Sequence, residues 1–414
     1  MSAEMVIIGG GAAGLMAGAT AAKRGLNTVI LEKMPRPARK MMITGKGRCN
    51  VTNACFELDE LIANVPSNGR FLYSAFSAFM PYDTMALVEE QGVPLKIERG
   101  NRVFPVSDKA VDVVDAMVRY ARQCGAVIEQ GTAAALVVED GRVTAVELEN
   151  GKRIDCDAVA ICTGGMSYPQ TGSTGDGYAL AQSVGHTVTP LAPSLIPLVC
   201  SNHFIPRLQG LSLKNTGLRV LDGEREVYRD FGEMLFTHYG VSGPMVLSAS
   251  AHMKRPEQKN YRLVLDLKPA LDEKKLDLRL QRDFKENNNK DFINSLSKLL
   301  PNKLIPVIVG LSEIEPSAKC NSITREQRLR LVQLLKHLTL DVTGFRPIEE
   351  AIVTSGGVNV KEVNPKTMQS KLLPNLYFAG EVLDVDAYTG GFNLQIAFST
   401  GYLCGENIGG EYHD

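Results

Sequence analysis

The sequence predicts an α/β chain in which a doubly wound sheet domain is assembled from two separated stretches and interrupted by a β-rich segment carrying a helical insertion. Three observations predict it. The first sixty residues read strand, helix, strand; two hairpin signals follow within residues 133–156; and a glycine-punctuated, alternating texture that stops near residue 190 resumes only after Asp341.

The opening unit is the most specific. Met5-Val-Ile-Ile-Gly9 is a short apolar run suited to a buried parallel strand, and residues 12–24 form an alanine-rich segment of high helix propensity. Between them Gly9-Gly10-Gly11-Ala12-Ala13-Gly14 satisfies G-x-G-x-x-G in the strand-to-helix context that gives the motif its meaning. Gly9 makes the tight turn, Gly11 lets backbone approach a diphosphate, and Gly14 lets helix and strand pack closely. Residues 28–31 supply a second strand ending in Glu32, whose carboxylate is placed to accept from a ribose and repels a 2′-phosphate. The expected contacts here are Gly9, Gly11, Ala12, Ala13, Gly14, Glu32 and Lys33. A Rossmann-like dinucleotide site follows, and the motif alone leaves FAD and NAD both open.

Residues 39–53, Arg39-Lys-Met-Met-Ile-Thr-Gly-Lys-Gly-Arg-Cys-Asn-Val-Thr-Asn53, read as a loop that brings backbone close to a ligand, through Lys40, Thr44, Gly45, Gly47, Arg48, Cys49 and Asn50. Read alone, the same stretch is a solvated basic turn with Cys49 as a small buried filler. Asp140-Gly141 and Asn150-Gly151 then predict three antiparallel strands up to Cys156, and residues 158–162 a further buried strand ending in Thr163-Gly164-Gly165, a second pass of backbone over the ligand. An apolar helix starts near Tyr178. From about Pro190 short strand-like runs mark a separate β-rich domain, with a hairpin at Asp222-Gly223. Residues 272–340 are charged and leucine-rich, with a helical stripe at Leu331, Leu334, Leu335 and Leu338 behind a capping box, Thr324-Arg-Glu-Gln327.

The carboxy-terminal stretch bears on the cofactor. Leu376-Tyr-Phe-Ala-Gly380-Glu381 is a strand closing on Gly-Glu, and Gly390-Gly391-Phe392-Asn393 opens a helix that runs to about Asn407, with Ala397, Gly401 and Gly405 forming a small-residue stripe. A second helix N-terminus thus accompanies the first, and it suits an isoalloxazine ring, whose N1–O2 edge gathers negative charge on reduction. Gly380, Glu381, Gly390, Gly391, Phe392 and Asn393 are the expected contacts, Glu381 accepting from a ribityl hydroxyl.

The combination of Gly9–Gly14 with Glu32, Thr44-Gly-Lys-Gly-Arg-Cys-Asn-Val-Thr-Asn53, Thr163-Gly-Gly-Met-Ser-Tyr-Pro169, Thr171-Gly-Ser-Thr-Gly-Asp-Gly177, Phe236-Thr-His-Tyr-Gly-Val-Ser-Gly-Pro244 and Thr389-Gly-Gly-Phe-Asn393 resembles the flavoproteins called YhiN-like or BaiN-like, also labelled aminoacetone-oxidase-like, across essentially the whole chain. Lys46 departs from the glycine of that family's loop. The resemblance implies a Rossmann-like FAD-binding domain with a β-meander (1–190 and 345–414), a β-barrel-like domain (191–271 and 341–344) and a helical insertion (272–340). It implies FAD as cofactor and an oxidoreductase that takes hydride from NADH or NADPH and reduces a conjugated small molecule, for example an unsaturated oxo-bile acid. An amine oxidase releasing H2O2 and a flavoprotein that mainly binds RNA or protein are the alternatives.

Candidate catalytic groups for an enone are a carbonyl-polarising donor and a proton source. His238, flanked by Tyr239 and Gly240, has the best constellation of the six histidines; Tyr168 and Tyr388 are phenolic candidates, and Arg48 a cation for a carbonyl or carboxylate. His238 as a structural histidine, and the tyrosines as packing against flavin or barrel, are the plainer readings. No second G-x-G-x-x-G follows a strand, so a nicotinamide would visit the flavin face directly. Eight cysteines without a C-x-x-C give neither a dithiol relay nor a metal site. With 45 Lys and Arg against 46 Asp and Glu, the composition excludes a general nucleic-acid coat and a polybasic membrane anchor. The uncharged run over residues 5–22 is interrupted by three glycines and lacks a preceding cation, so neither a span nor a secretory signal is expected. The expectation is a cytoplasmic monomer or small homo-oligomer.

Overall fold

The computed structural model describes residues 2–253 and 258–409. The chain divides into two compact units, one made of residues 1–194 and 347–414, the other of residues 195–346.

In the first unit the central sheet runs, from edge to edge, Val127–Gln130, Thr28–Glu32, Ser2–Ile8, Arg153–Ile161, Arg142–Leu148 and Ala133–Glu139. The first four are parallel neighbours and the last three form an antiparallel meander. The third meander strand and the following buried strand, expected as two, are one continuous strand, Arg153–Ile161. Its first residues pair antiparallel with residues 145–147, while residues 155–161 pair parallel with the first strand. Its burial alternates over residues 153–157 and is then unbroken, as a strand covered first on one face and later on both requires. Leu376–Phe378 pairs parallel with residues 159–161, which returns the end of the chain to the sheet.

The helix Ala12–Lys23 is buried along eleven consecutive residues and packs against the last helix, Phe392–Asn407. The small stripe on the last helix is the reason they approach so closely. A Cβ on Gly401 would lie 2.4 Å from the Ala13 carbonyl oxygen, and one on Gly405 2.6 Å from that of Ala17. Arg24 Nη1 donates to the carbonyls of Gly405 (2.8 Å) and Ile408 (2.7 Å), satisfying acceptors at the end of the last helix.

Residues 39–53 differ from the loop expected. Arg39–Gly47 begins as a helical turn and breaks at Thr44 (ψ 152), Gly45 (φ 57) and Lys46 (φ 62); Thr52–Asn53 is a short strand paired with residues 102–103. The apolar Met41, buried on that turn, is the signal that the basic composition masked.

The second unit is a closed antiparallel barrel of Leu198–Cys200, Gly240–Ser242, Arg225–Phe236, Ser212–Asp222, Tyr261–Asp266 and Leu338–Phe345. Leu218, Val220, Phe236, Leu263, Leu265 and Leu340 are fully buried in its core. The helices Glu273–Glu286, Phe292–Ser295, Ile305–Leu311 and Arg325–Lys336 lie between its last two strands in sequence. The capping box forms in both directions, Gln327 N to Thr324 Oγ1 at 3.2 Å and Thr324 N to Gln327 Oε1 at 2.9 Å. Leu331 and Leu335 are buried on that helix, but Leu338 belongs to the next strand, because the helix ends at His337. Among the described residues no helix is long and apolar enough to cross a membrane.

Two glycine substitutions should separate close packing from propensity. Gly401→Ala should lower stability by about 1–3 kcal/mol through overpacking. Gly310, in the helix Ile305–Leu311 with nothing within 4 Å of an added Cβ, should gain about 0.5–1 kcal/mol on Gly310→Ala. Urea unfolding followed by circular dichroism checks both; an unchanged midpoint for Gly401→Ala would refute the close-packing account.

Candidate functional site

A cleft of about 1260 Å3, open mouth included, lies at the carboxyl ends of the parallel strands of the first unit and reaches from Glu32 and Ala133 to Asn393 and Ala397. Its floor at one end is the glycine turn. Gly9 has φ +105, and a Cβ there would come 2.6 Å from the Cys162 carbonyl oxygen; a Cβ on Gly14 would come 1.8 Å from that of Gly9. A Cβ on Gly11 meets nothing within 4 Å. Two of the three glycines are thus required by protein packing, and the third faces open space at the helix start. Gly11 caps that helix without a side-chain bond, and no acid stands in its first turn, so the first N–H groups and their partial positive charge are offered to an anion.

Glu32 is held by both oxygens. Gly10 N donates to Oε2 at 3.0 Å and Met34 N to Oε1 at 2.8 Å. Burial raises the Glu32 carboxyl above its ordinary value against these lowering hydrogen bonds. Each oxygen retains a lone pair for a hydroxyl donor.

At the other end, Lys40 Nζ donates to Glu381 Oε2 (2.7 Å) and to the buried Ser167 Oγ (2.6 Å), while Thr354 N donates to Glu381 Oε1 (2.9 Å). Gly165 makes room for this cluster, since a Cβ would stand 2.5 Å from Thr354 Oγ1 and 2.8 Å from Glu381 Oε1. The last helix starts beside it at Gly391 (φ +103), again without a side-chain cap, and a Cβ on Gly391 would lie 2.3 Å from the Thr52 backbone. Asn53 Nδ2 holds the Gly390 carbonyl at 3.0 Å. Gln395, fully buried, accepts from Thr52 and Thr84 hydroxyls and donates to the Phe79 carbonyl and Ser399. A saturated polar network therefore fixes the first turn of this helix.

Of the residues singled out from sequence, Gly9, Gly11, Ala12, Ala13, Glu32, Lys33, Lys40, Thr44, Thr163, Gly164, Gly380, Glu381 and Asn393 line the cleft. Gly14, Gly165, Gly390 and Gly391 shape it from behind through the close approaches above, and Phe392 is buried at the helix start. Gly45, Gly47, Arg48, Cys49 and Asn50 are not among its lining residues. Arg48 bonds Asp108 at 2.7 Å, pairs with Glu98, and lies 4.1 Å over the Phe104 ring. Cys49 is fully buried, its thiol pushed up to about 12 by burial. Tyr168 and Tyr388 are half-buried and outside the lining; the Tyr168 amide donates to the Glu349 carbonyl and that of Tyr388 to the Asn64 carbonyl. His238 lies in the other unit, exposed on the turn after Phe236, its ring 4.8 Å edge-on from Tyr239. Sequence reasoning missed residues 131–133, 171–173, Asp176, Ile352 and Val353 in the wall. Residues 131–133 follow the edge strand beside Glu32, and the glycines at 172 and 175 were the available signal for the 171–176 loop.

These residues fit FAD. The wall offers two uncapped helix N-termini, a ribose-type acceptor at one end and a polyol-type acceptor at the other, and Thr163 Oγ1 is buried without a hydrogen-bond partner. Cys162 in the wall has its thiol pushed up to about 12 by burial, so it stays protonated. All eight cysteines are free.

The sequence model of the family described as HI0933-like protein Rossmann domain matches residues 3–407. The chain is 30% identical over 403 residues to a 3-dehydro-bile acid delta(4,6)-reductase of Clostridium scindens, covering 96% of this chain and 97% of the relative. It is 29% and 31% identical to ribosomal RNA dihydrouridine synthases of Escherichia coli and Haemophilus influenzae, covering 98% of each chain in both cases. Among solved structures it is similar to the 3-ketosteroid-delta4-(5alpha)-dehydrogenase of Rhodococcus jostii, with a TM-score of 0.51 and 14% identity over 98% of this chain and 96% of the other.

Glu32→Ala should weaken FAD binding about tenfold or more, as loss of hydrogen bonds to a charged acceptor implies. Titration of apoprotein with FAD reads this out, and isolation of the variant with stoichiometric flavin would contradict it.

Proposed function

Because the chain belongs to the HI0933-like Rossmann-domain family and is an FAD-dependent oxidoreductase, we propose that it takes hydride from NADH or NADPH and reduces a carbon–carbon double bond conjugated to a carbonyl. One observation carries this reading: relatives named for a bile-acid reductase and for dihydrouridine synthases both align along nearly the whole chain. The named products share one chemistry. A 3-oxo steroid with a Δ4 double bond and a uracil ring each present an alkene next to a carbonyl, and each gains two hydrogens across it.

The balance is NAD(P)H plus a proton plus enone, giving NAD(P)+ and the saturated carbonyl compound. Bound FAD supplies the two-electron carrier between donor and acceptor. The N-terminus of the helix Phe392–Asn407 favours negative charge beside it by roughly 0.3–2 kcal/mol. Lys40, Ser167 and Thr354 hold Glu381 as an acceptor with one orientation. Hydride adds to the alkene carbon remote from the carbonyl and a proton to the near one, so the carbonyl oxygen needs a donor; we assign that role to His238, and the proton to His238 or a phenol, Tyr168 or Tyr388. Arg48, already shared between Glu98 and Asp108, is assigned to holding its own loop.

A second substrate reading has its own observation. The near-neutral chain hides a division: residues 195–346 carry 24 Lys and Arg against 17 Asp and Glu, and the remainder 21 against 29. A basic unit suits a polyanion, and so a uracil ring presented within RNA rather than a free small molecule.

Anaerobic mixing with NADH or NADPH should bleach the bound flavin, and addition of an unsaturated 3-oxo steroid or a uridine-containing RNA should restore its colour and yield product two hydrogens heavier by mass spectrometry. No bleaching with either nucleotide would remove the reductase reading. His238→Ala should slow the restoring step on the order of a hundredfold with FAD still bound; unchanged turnover returns His238 to a structural role.

A further inference from the structure

The loop of residues 171–176 is folded over the chain just beyond Glu32. Thr171, Gly172, Ser173 and Asp176 line the same cleft as Glu32 and Lys33. Gly172 (φ +103) sits so low that a Cβ would lie 2.9 Å from Met34 Cγ and 3.5 Å from Lys33 Cε. Gly175 (φ +88) turns the chain into the helix Asp176–Ser183. Both ends of the loop are fixed. Thr171 Oγ1 donates to the Tyr168 carbonyl at 2.7 Å on one side, and on the other Gly177 is seated so that a Cβ would be 2.0 Å from Thr163 Oγ1.

Between these anchors, the hydrogen bonds that join the loop to the segment after Glu32 come from one side chain among the described residues. Lys33 Nζ donates to Thr174 Oγ1 at 2.6 Å and pairs with Asp176 Oδ2, while the Thr174 hydroxyl donates to Asp176 Oδ1. The three side chains close a ring of hydrogen bonds. Lys33 and Asp176 side chains are 22% and 32% exposed, so water and salt reach the pair but do not surround it. Burial pushes the Asp176 carboxyl up, yet its bonds to Lys33 and Thr174 outweigh that and hold it below the ordinary value. Asp176 is therefore ionised at neutral pH.

We propose that residues 171–176 are a strap over the adenosine half of the dinucleotide site and that the Lys33–Asp176 latch sets the rate at which FAD leaves. The proposal rests on the FAD reading of the cleft. The strap covers the end of the cleft where Glu32 would hold the ribose, so release of that half requires the strap to lift from Lys33 and Met34. Lifting breaks the ion pair and the Thr174 bond, whereas the glycine turn and the two helix N-termini stay in place. Affinity is then divided: the helix starts and Glu32 hold the cofactor, and the latch governs exchange.

The test uses holoprotein and follows flavin passing a centrifugal filter with time after dilution. Lys33→Met and Asp176→Asn should each release FAD about fivefold faster or more, the scale of a partly exposed pair worth about 1 kcal/mol. Lys33→Arg should stay close to wild type. Salt at about 1 M should speed release from wild type more than from Lys33→Met, which has no pair left to screen. Lys33→Met and Asp176→Asn should lower the melting temperature of the apoprotein by no more than a few degrees, the shift that a loss of about 1 kcal/mol gives. Release at the wild-type rate from Lys33→Met and Asp176→Asn overturns the latch while the FAD reading stands, as does a lowered melting temperature with unchanged release. Wild-type protein that neither carries nor takes up FAD overturns both.

Discussion

The first helix is held by backbone against backbone on both of its sides, and the geometry of the cleft depends on this contact. On one side the Gly9 carbonyl sits where a side chain on Gly14 would be; on the other the carbonyls of Ala13 and Ala17 sit where side chains on Gly401 and Gly405 would be. Only glycine permits such distances. The contact ties residue 14 to residue 401, and with it aligns two helix N-termini from opposite ends of the chain along one cleft. A helix buried all round has no polar face to tolerate rotation. A shift at either interface would therefore displace the diphosphate end and the ring end together. Arg24 strengthens the arrangement by donating to the last carbonyls of the carboxy-terminal helix, where a cation is also favoured by the dipole.

What the sequence made legible follows the same physics. Elements whose identity rests on local chemistry were read closely: the strand–glycine–helix unit, the capping box at Thr324 and Gln327, the hairpins at residues 140–141 and 222–223, and the last helix through Asn407. Elements whose identity rests on tertiary pairing were not. Residues 153–161 are one strand because two different neighbours use its two halves, which no local period displays. Leu338 continues a helical spacing but pairs with Leu265 in the barrel. Residues 39–47 look like a basic loop until Met41 finds a core. In the site, glycines and Glu32 were visible because each has a backbone reason to be where it is. Ile352 and Val353 had none and entered only through the fold.

Charge shows the same limit. A total near zero is an average over an acidic unit and a basic one, and composition cannot see the division until the boundary of the units is known. Within the first unit, cations that read as free in sequence are mostly engaged: Arg48 by Glu98 and Asp108, Lys40 by Glu381, Lys33 by Asp176. Their partners lie 50 to 341 residues away. The sequence presents Lys33 and Lys40 as contacts for a cofactor and Arg48 as one for cofactor or substrate; the fold also uses them to orient carboxylates and to join loops.

The sulfur chemistry narrows what such a cleft can do. Burial raises the thiols of Cys49 and Cys162 to about 12 and, with Cys162 nearby, that of Cys404 well above its ordinary value, and all three are free. A thiol held protonated is a poor nucleophile and a poor relay. Chemistry at this site is then left to hydrogen bonds, helix ends and whatever ring lies between them. A wall built that way must be rigid, because its donors act only at fixed distances. Glycine contacts and the Gln395 network supply that rigidity at both helix starts, whereas residues 171–176 are joined to the segment after Glu32 by side-chain bonds that can exchange with water.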